Sequence, residues 1–152
     1  MAEIDPSYAD GWVNIGRGRV REGRMDEAQE ALSRAFEIDG KLANTHYFMG
    51  LTLKQQGKYE KALEHFQQAE EQYPRDRMVL NQMGRILFLQ RRFEEATEVL
   101  NRVLAVDPED LQAHYNLMLC HRALGNQEAA RREQKLYLRF KADESSQAIT
   151  GD

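Results

Sequence analysis

The sequence predicts an all-α array of four stacked helix–turn–helix units, and three observations predict it. The only prolines, Pro6, Pro74 and Pro108, are spaced by 34 residues or twice that. Small residues recur at the same period: Gly16, Gly50 and Gly84, then Ala28, Ala62, Ala96 and Ala130, then Ala35 and Ala69. Large apolar residues keep the register as Ile15, Met49, Met83 and Leu117, as Leu32, Phe66 and Leu100, and as Met25, Tyr59 and Phe93. An ordinary amphipathic bundle shares helical apolar spacing but has no reason to repeat Gly and Ala at a fixed interval.

This period divides the chain into repeats at 9–42, 43–76, 77–110 and 111–144. Helices are expected over 9–22 and 26–38, 43–56 and 60–72, 77–90 and 94–106, and 111–124 and 127–142. Glycine within the first helix and alanine early in the second remove the side chains that would hold a hairpin's two helices apart. Gly23, Gly57 and Gly125 stand where a left-handed residue ends the first helix, with Arg91 in the third repeat. Asp26, Glu60 and Glu94 fall in first turns, where the helix dipole favours anions. Where the period calls for a fourth proline the chain reads Ile38-Asp39-Gly40, and glycine is the other common helix terminator.

Both ends depart from the pattern. Glu3-Ile4-Asp5-Pro6 matches Ala105-Val106-Asp107-Pro108, the final turn of a repeat. Residues 1–8 therefore read as the tail of a truncated upstream repeat, with Met1 an added start. In the fourth repeat Met118 replaces the glycine, Gln134 the large apolar residue and Tyr137 the alanine. Residues 127–142 keep one apolar stripe, Ala129, Ala130, Leu136, Tyr137 and Phe140, among Arg131, Arg132, Glu133, Arg139 and Lys141. That is the make-up of a capping last helix with a polar outer face. Residues 145–152 are polar and small and read as a frayed tail.

Composition narrows the function classes. The chain of 152 residues is 41% hydrophobic and 30% charged, with 21 basic and 25 acidic residues and a formal net charge of −4. A disordered chain would carry fewer aromatics and a larger imbalance, and the acidity argues against a dedicated nucleic-acid binder. The longest apolar runs, such as Ile86-Leu87-Phe88-Leu89, stop far short of the ~18–20 residues a membrane span needs. A lone Cys120 makes no internal disulfide and supplies no paired thiolates for zinc.

No catalytic motif stands out. His114 and His121 are seven apart on one helix, about 10 Å along the axis at ~1.5 Å per residue, too far to share an ion. His46 and His114 hold the repeat position of Trp12 and read as packing residues, and His65 reads as solvated. Cys120-His121 lacks the second cysteine of a haem-attachment motif, Leu117 standing in its place. Gly16-Arg17-Gly18 lies inside a helix rather than in a phosphate-binding loop. The expectation is a non-enzyme with neither metal nor other cofactor.

The opening Trp12-Val13-Asn14-Ile15-Gly16, and Ala62-Leu63-Glu64-His65-Phe66 followed by Pro74, resemble tetratricopeptide repeats from residue 9 to about 144. The resemblance implies a right-handed superhelix whose first helices line a concave groove for a peptide or a partner's helix. Its second, fifth, ninth and twelfth repeat positions hold Asp10, Val13, Arg17 and Val20, then Asn44, Tyr47, Leu51 and Lys54. The later repeats contribute Met78, Asn81, Arg85 and Phe88, then Gln112, Tyr115, Leu119 and Arg122. This set is more basic than the chain, which points to an acidic segment with aromatic or aliphatic anchors.

Repeats that clamp the acidic tails of heat-shock chaperones carry Lys and Asn where this chain has Val13, Arg17 and Phe48, and Lys and Arg where it has Met78 and Gln82; that clamp is absent. A structural reading stands beside the groove: a spacer, or self-association through the ends, where Trp12 lies. Residues 137–145 are similar to parts of bacterial multidomain proteins in which such repeats adjoin multihaem cytochrome regions, which would place a periplasmic parent around this segment.

Overall fold

A computed structural model of the chain describes residues 9–40 and 43–150. The described residues form eight helices and no strand: α1 (Ala9–Arg21), α2 (Met25–Ile38), α3 (Ala43–Gln55), α4 (Tyr59–Gln72), α5 (Arg77–Leu89), α6 (Phe93–Val106), α7 (Leu111–Ala123) and α8 (Gln127–Thr150). The chain separates into two compact units, Met1–Val79 and Leu80–Asp152. The expected tail of an upstream repeat, residues 1–8, lies outside the described residues.

In the first unit α1 packs on α2 and α3 on α4, while α3 also contacts α2 and α1. The small-residue period is what lets the pairs close. A Cβ on Gly16 would sit 2.7 Å from Cγ of Leu32, and one on Gly50 2.7 Å from the Phe66 ring. Leu32 and Phe66 are fully buried with Ala28, Ala35 and Ala62. In the second unit Gly84 admits Leu100 in the same way, its Cβ position only 2.5 Å from a Leu100 methyl. Leu80, Val103 and Ala113 form a core there, with Val99 and Leu104 packed against it. The fourth repeat reverses the exchange: Met118 is buried where a glycine is expected, facing the register of an exposed Gln134.

All four intra-hairpin turns close alike. Gly23, Gly57 and Gly125 have φ of +77°, +77° and +81°, and Arg91 adopts +63°. Each donates its N–H to the carbonyl three residues back, and the next residue donates five back, as Gly23 to Val20 (3.0 Å) and Arg24 to Arg19 (2.8 Å). This double bond pattern satisfies the last carbonyls of the first helix. Between repeats, Asp110 caps α7 by accepting from the Ala113 N–H (2.9 Å), and Asp76 accepts from the Met78 N–H at the start of α5 (2.9 Å).

Two expectations need correction. The last helix runs past 142 to Thr150, because residues 143–150 contain neither glycine nor proline to stop it. His65 is half-buried rather than solvated: its ring lies 5.5 Å from Phe36 and 5.3 Å from His46. It sits beside the core residue Phe66, yet on the side of α4 that meets α3 and the end of α2.

Candidate functional site

The first unit carries a depression of about 160 Å³ lined by Arg17, Asn44, Tyr47, Phe48, Ala69, Tyr73, Asp76, Met78 and Val79. Arg17 comes from α1, Asn44, Tyr47 and Phe48 from the first turns of α3, and Met78 and Val79 from the start of α5. Its aromatic wall is fixed by packing, the Tyr47 ring standing edge-on to Phe48 at 5.2 Å and to Phe66 at 5.8 Å. At its rim Tyr73 and Met78 are each 62% exposed. Among the described residues Arg17 has no carboxylate at ion-pair distance. Asp76, though it lines the same space, spends its carboxylate on the first N–H groups of α5.

Of the residues expected from repeat position, Arg17, Tyr47 and Met78 therefore come together. Leu51 and Lys54, further along α3, are partly exposed but outside the depression. Val13 does not reach a surface: it is 5% exposed, in the α1 core. The structure adds Phe48 and Tyr73. Tyr73 follows the last residue of α4, and a reading confined to first helices passes over it.

In the second unit Asn81 also departs from the expectation. It is 6% exposed, and its amide donates to both oxygens of the Asp110 carboxylate (3.1 and 3.2 Å), tying α5 to the cap of α7. Arg85 donates to Asn116 Oδ1 at 3.2 Å and lies 5.3 Å over the Phe88 ring, a geometry that holds the guanidinium in place. Tyr115, 42% exposed, packs at 5.5 Å on Tyr137 of α8. Arg122 is exposed beside Arg131 and Gln134, in a second depression.

No three His, Cys, Asp or Glu side chains gather around a common point among the described residues. The Cys120 thiol is buried and pushed up to about 11 by desolvation, so it is not a poised nucleophile. His114 is buried with Nδ1 against Glu133 at 2.6 Å and Nε2 against the Pro108 carbonyl at 2.7 Å. No helix among the described residues is long and apolar enough to cross a membrane.

Helical hairpins repeated at 34 residues, closed by glycine against a large residue, define a helical-repeat protein of the protein-interaction class. Tetratricopeptide-repeat models match residues 7–75, 53–118 and 87–149, and the chain belongs to that family. Over 134 residues it is 28% identical to the anaphase-promoting complex subunit CDC16 of Saccharomyces cerevisiae, covering 84% of this chain and 16% of that protein. Over 91 residues it is 30% identical to the type IV pilus assembly protein PilF of Pseudomonas aeruginosa, covering 60% of this chain and 36% of that one. The chain thus spans well under two thirds of either relative's length.

Among solved structures it superposes on MamA with a TM-score of 0.87 at 17% identity, covering 93% of this chain and 83% of that one. YrrB, described as a TPR protein with an unusual peptide-binding site, matches with a TM-score of 0.80 at 23% identity, covering 91% and 72%. At these identities the likeness shows the fold alone, the all-α tetratricopeptide-repeat solenoid.

Proposed function

We propose that this chain is a non-catalytic interaction module that holds an acidic segment carrying aromatic or aliphatic anchors. The observation that carries the reading is the depression in the first unit, where an exposed Arg17, without a carboxylate at ion-pair distance among the described residues, stands beside Tyr47, Tyr73 and Met78. A guanidinium can take a ligand carboxylate bidentately, and the rings and thioether offer flat, adaptable apolar area for one anchor side chain. In the second unit Arg85, Phe88, Tyr115 and Arg122 repeat that combination of cations and rings. YrrB's description as a peptide-binding repeat protein supports the class of ligand.

The test is selection of extended peptides from a random display library against the chain, followed by anisotropy measurements. Acidic residues next to an aromatic or aliphatic one should be enriched. Arg17→Ala should weaken the selected peptide about tenfold, the loss of one charge-assisted contact of ~1.5 kcal/mol. Peptides without acidic enrichment, or an affinity unmoved by Arg17→Ala, would overturn the reading. Self-association remains the second reading, favoured by Leu138, 55% exposed on α8. Light scattering over a range of concentrations separates the two, since a peptide binder keeps its monomer mass.

A further inference from the structure

The fourth residue of each repeat lies in register with the twenty-third, one on each helix of the hairpin, and the pairs run Trp12 with Ala31, His46 with His65, Leu80 with Val99, and His114 with Glu133. In the third repeat the pair is apolar and part of the core. In the fourth it is an imidazole against a carboxylate at 2.6 Å. In the second it is two imidazoles, with Nδ1 of His46 and Nδ1 of His65 3.1 Å apart. The fold accepts an aliphatic pair at this point, so packing alone does not call for histidines.

The ring orientation is informative. Nε2 of His46 lies 3.0 Å from the Gly40 carbonyl oxygen, which only accepts, so in the neutral ring Nε2 carries the hydrogen and Nδ1 presents a lone pair. A ligating imidazole ordinarily donates its other N–H to a backbone carbonyl or carboxylate in this way, which fixes its tautomer and aim. The ring centres stand 5.3 Å apart while the nitrogens stand 3.1 Å apart, so the rings meet nitrogen to nitrogen at their edges. Two imidazoles on one tetrahedral Zn²⁺, at ~2.0–2.1 Å each, place their nitrogens roughly 3.3 Å apart. Phe36 covers one side, 4.7 Å from His46 and 5.5 Å from His65, and both histidines remain partly open to solvent.

We propose that His46 and His65 form a two-imidazole site for a divalent late transition ion such as Zn²⁺, bridging α3 and α4 of the second repeat and leaving its remaining positions to water or to a ligand from outside the chain. Imidazole suits Zn²⁺, Ni²⁺ and Cu²⁺, whereas Mg²⁺ demands oxygen. Binding needs the Nδ1 lone pair of both rings, so His65 takes the Nε2–H form when the ion enters.

The test titrates the tag-free chain with Zn²⁺, with Mg²⁺ as control, following the ring proton signals of the four histidines and the unfolding temperature. Zn²⁺ should move the His46 and His65 signals together, saturate at one equivalent and raise the unfolding temperature, while Mg²⁺ does neither. The double variant His46→Leu with His65→Val copies the third repeat's pair and should fold while losing both responses. If that variant fails to fold, His65→Val alone, which leaves a single imidazole, should lose the response, and the unmodified chain's ring signals still decide the matter. Unmoved His46 and His65 signals, or a thermal shift that survives in the double variant, would overturn the site.

Discussion

Arg91 occupies the turn position that glycine fills in the other three hairpins, at φ +63°. A side chain there costs on the order of 1 kcal/mol, and part of it is offset by the guanidinium lying 5.5 Å over the Phe93 ring. Arg91→Gly should therefore raise stability by about 0.5 kcal/mol, read as a higher urea midpoint with an unchanged slope. A lowered midpoint would mean that the ring contact outweighs the backbone strain. Asp110 makes the opposite case, because one buried carboxylate caps α7 and also takes the Asn81 amide. Asp110→Ala removes a cap of ~1 kcal/mol and strands a buried amide at a further ~1–3 kcal/mol. A loss of about 2–3 kcal/mol is expected in the same denaturation measurement, and a loss under 1 kcal/mol would show that Asn81 finds another partner.

At the scale of the helix, glycine has two meanings, and the same substitution separates them. Gly18 lies inside α1 with nothing within 4 Å of its Cβ position, so Gly18→Ala should stabilise by the propensity difference, about 0.5–1 kcal/mol. Gly84 lies inside α5 with Leu100 methyl and methine carbons at 2.5 and 2.7 Å, so Gly84→Ala should destabilise by ~1–3 kcal/mol through overpacking, net of the propensity gain. Opposite signs in one set of thermal melts are the expected outcome, and a neutral Gly84→Ala would mean that α5 and α6 separate at little cost. The 34-residue recurrence made Gly84 legible in the sequence and left Gly18 apart from it. The same recurrence does not reveal the company of His65, because its partner lies nineteen residues away on the facing helix and the apolar stripe of α4, Ala62, Leu63, Phe66 and Ala69, does not include it. Asn81 differs for a related reason: repeat position assigns it to a helix face, but the carboxylate of Asp110 draws its amide inward. Tyr73 escaped because it lies beyond its helix, where helical periodicity carries no information.

For the whole molecule, the sign of the charge depends on distance. The chain is formally −4, so an approaching acidic segment meets net repulsion at long range, yet its proposed landing point holds an exposed guanidinium. The Debye length falls from roughly 20 Å in dilute buffer to about 8 Å at physiological ionic strength, which screens the distant repulsion while leaving a contact at Arg17 largely in place. Electrostatic steering therefore works against association here, and attraction acts once the ligand has arrived. Raising salt from about 20 to about 150 mM should leave the association rate of a selected acidic peptide unchanged or modestly faster, and should quicken dissociation. Surface plasmon resonance across that range reads both rates. Arg17→Ala should abolish most of the salt dependence of dissociation while leaving that of association alone. An association rate that falls steeply with salt would instead show a positive field reaching well beyond Arg17, and the ligand would then be selected by the summed charge of a wider face rather than by one arginine beside an apolar depression.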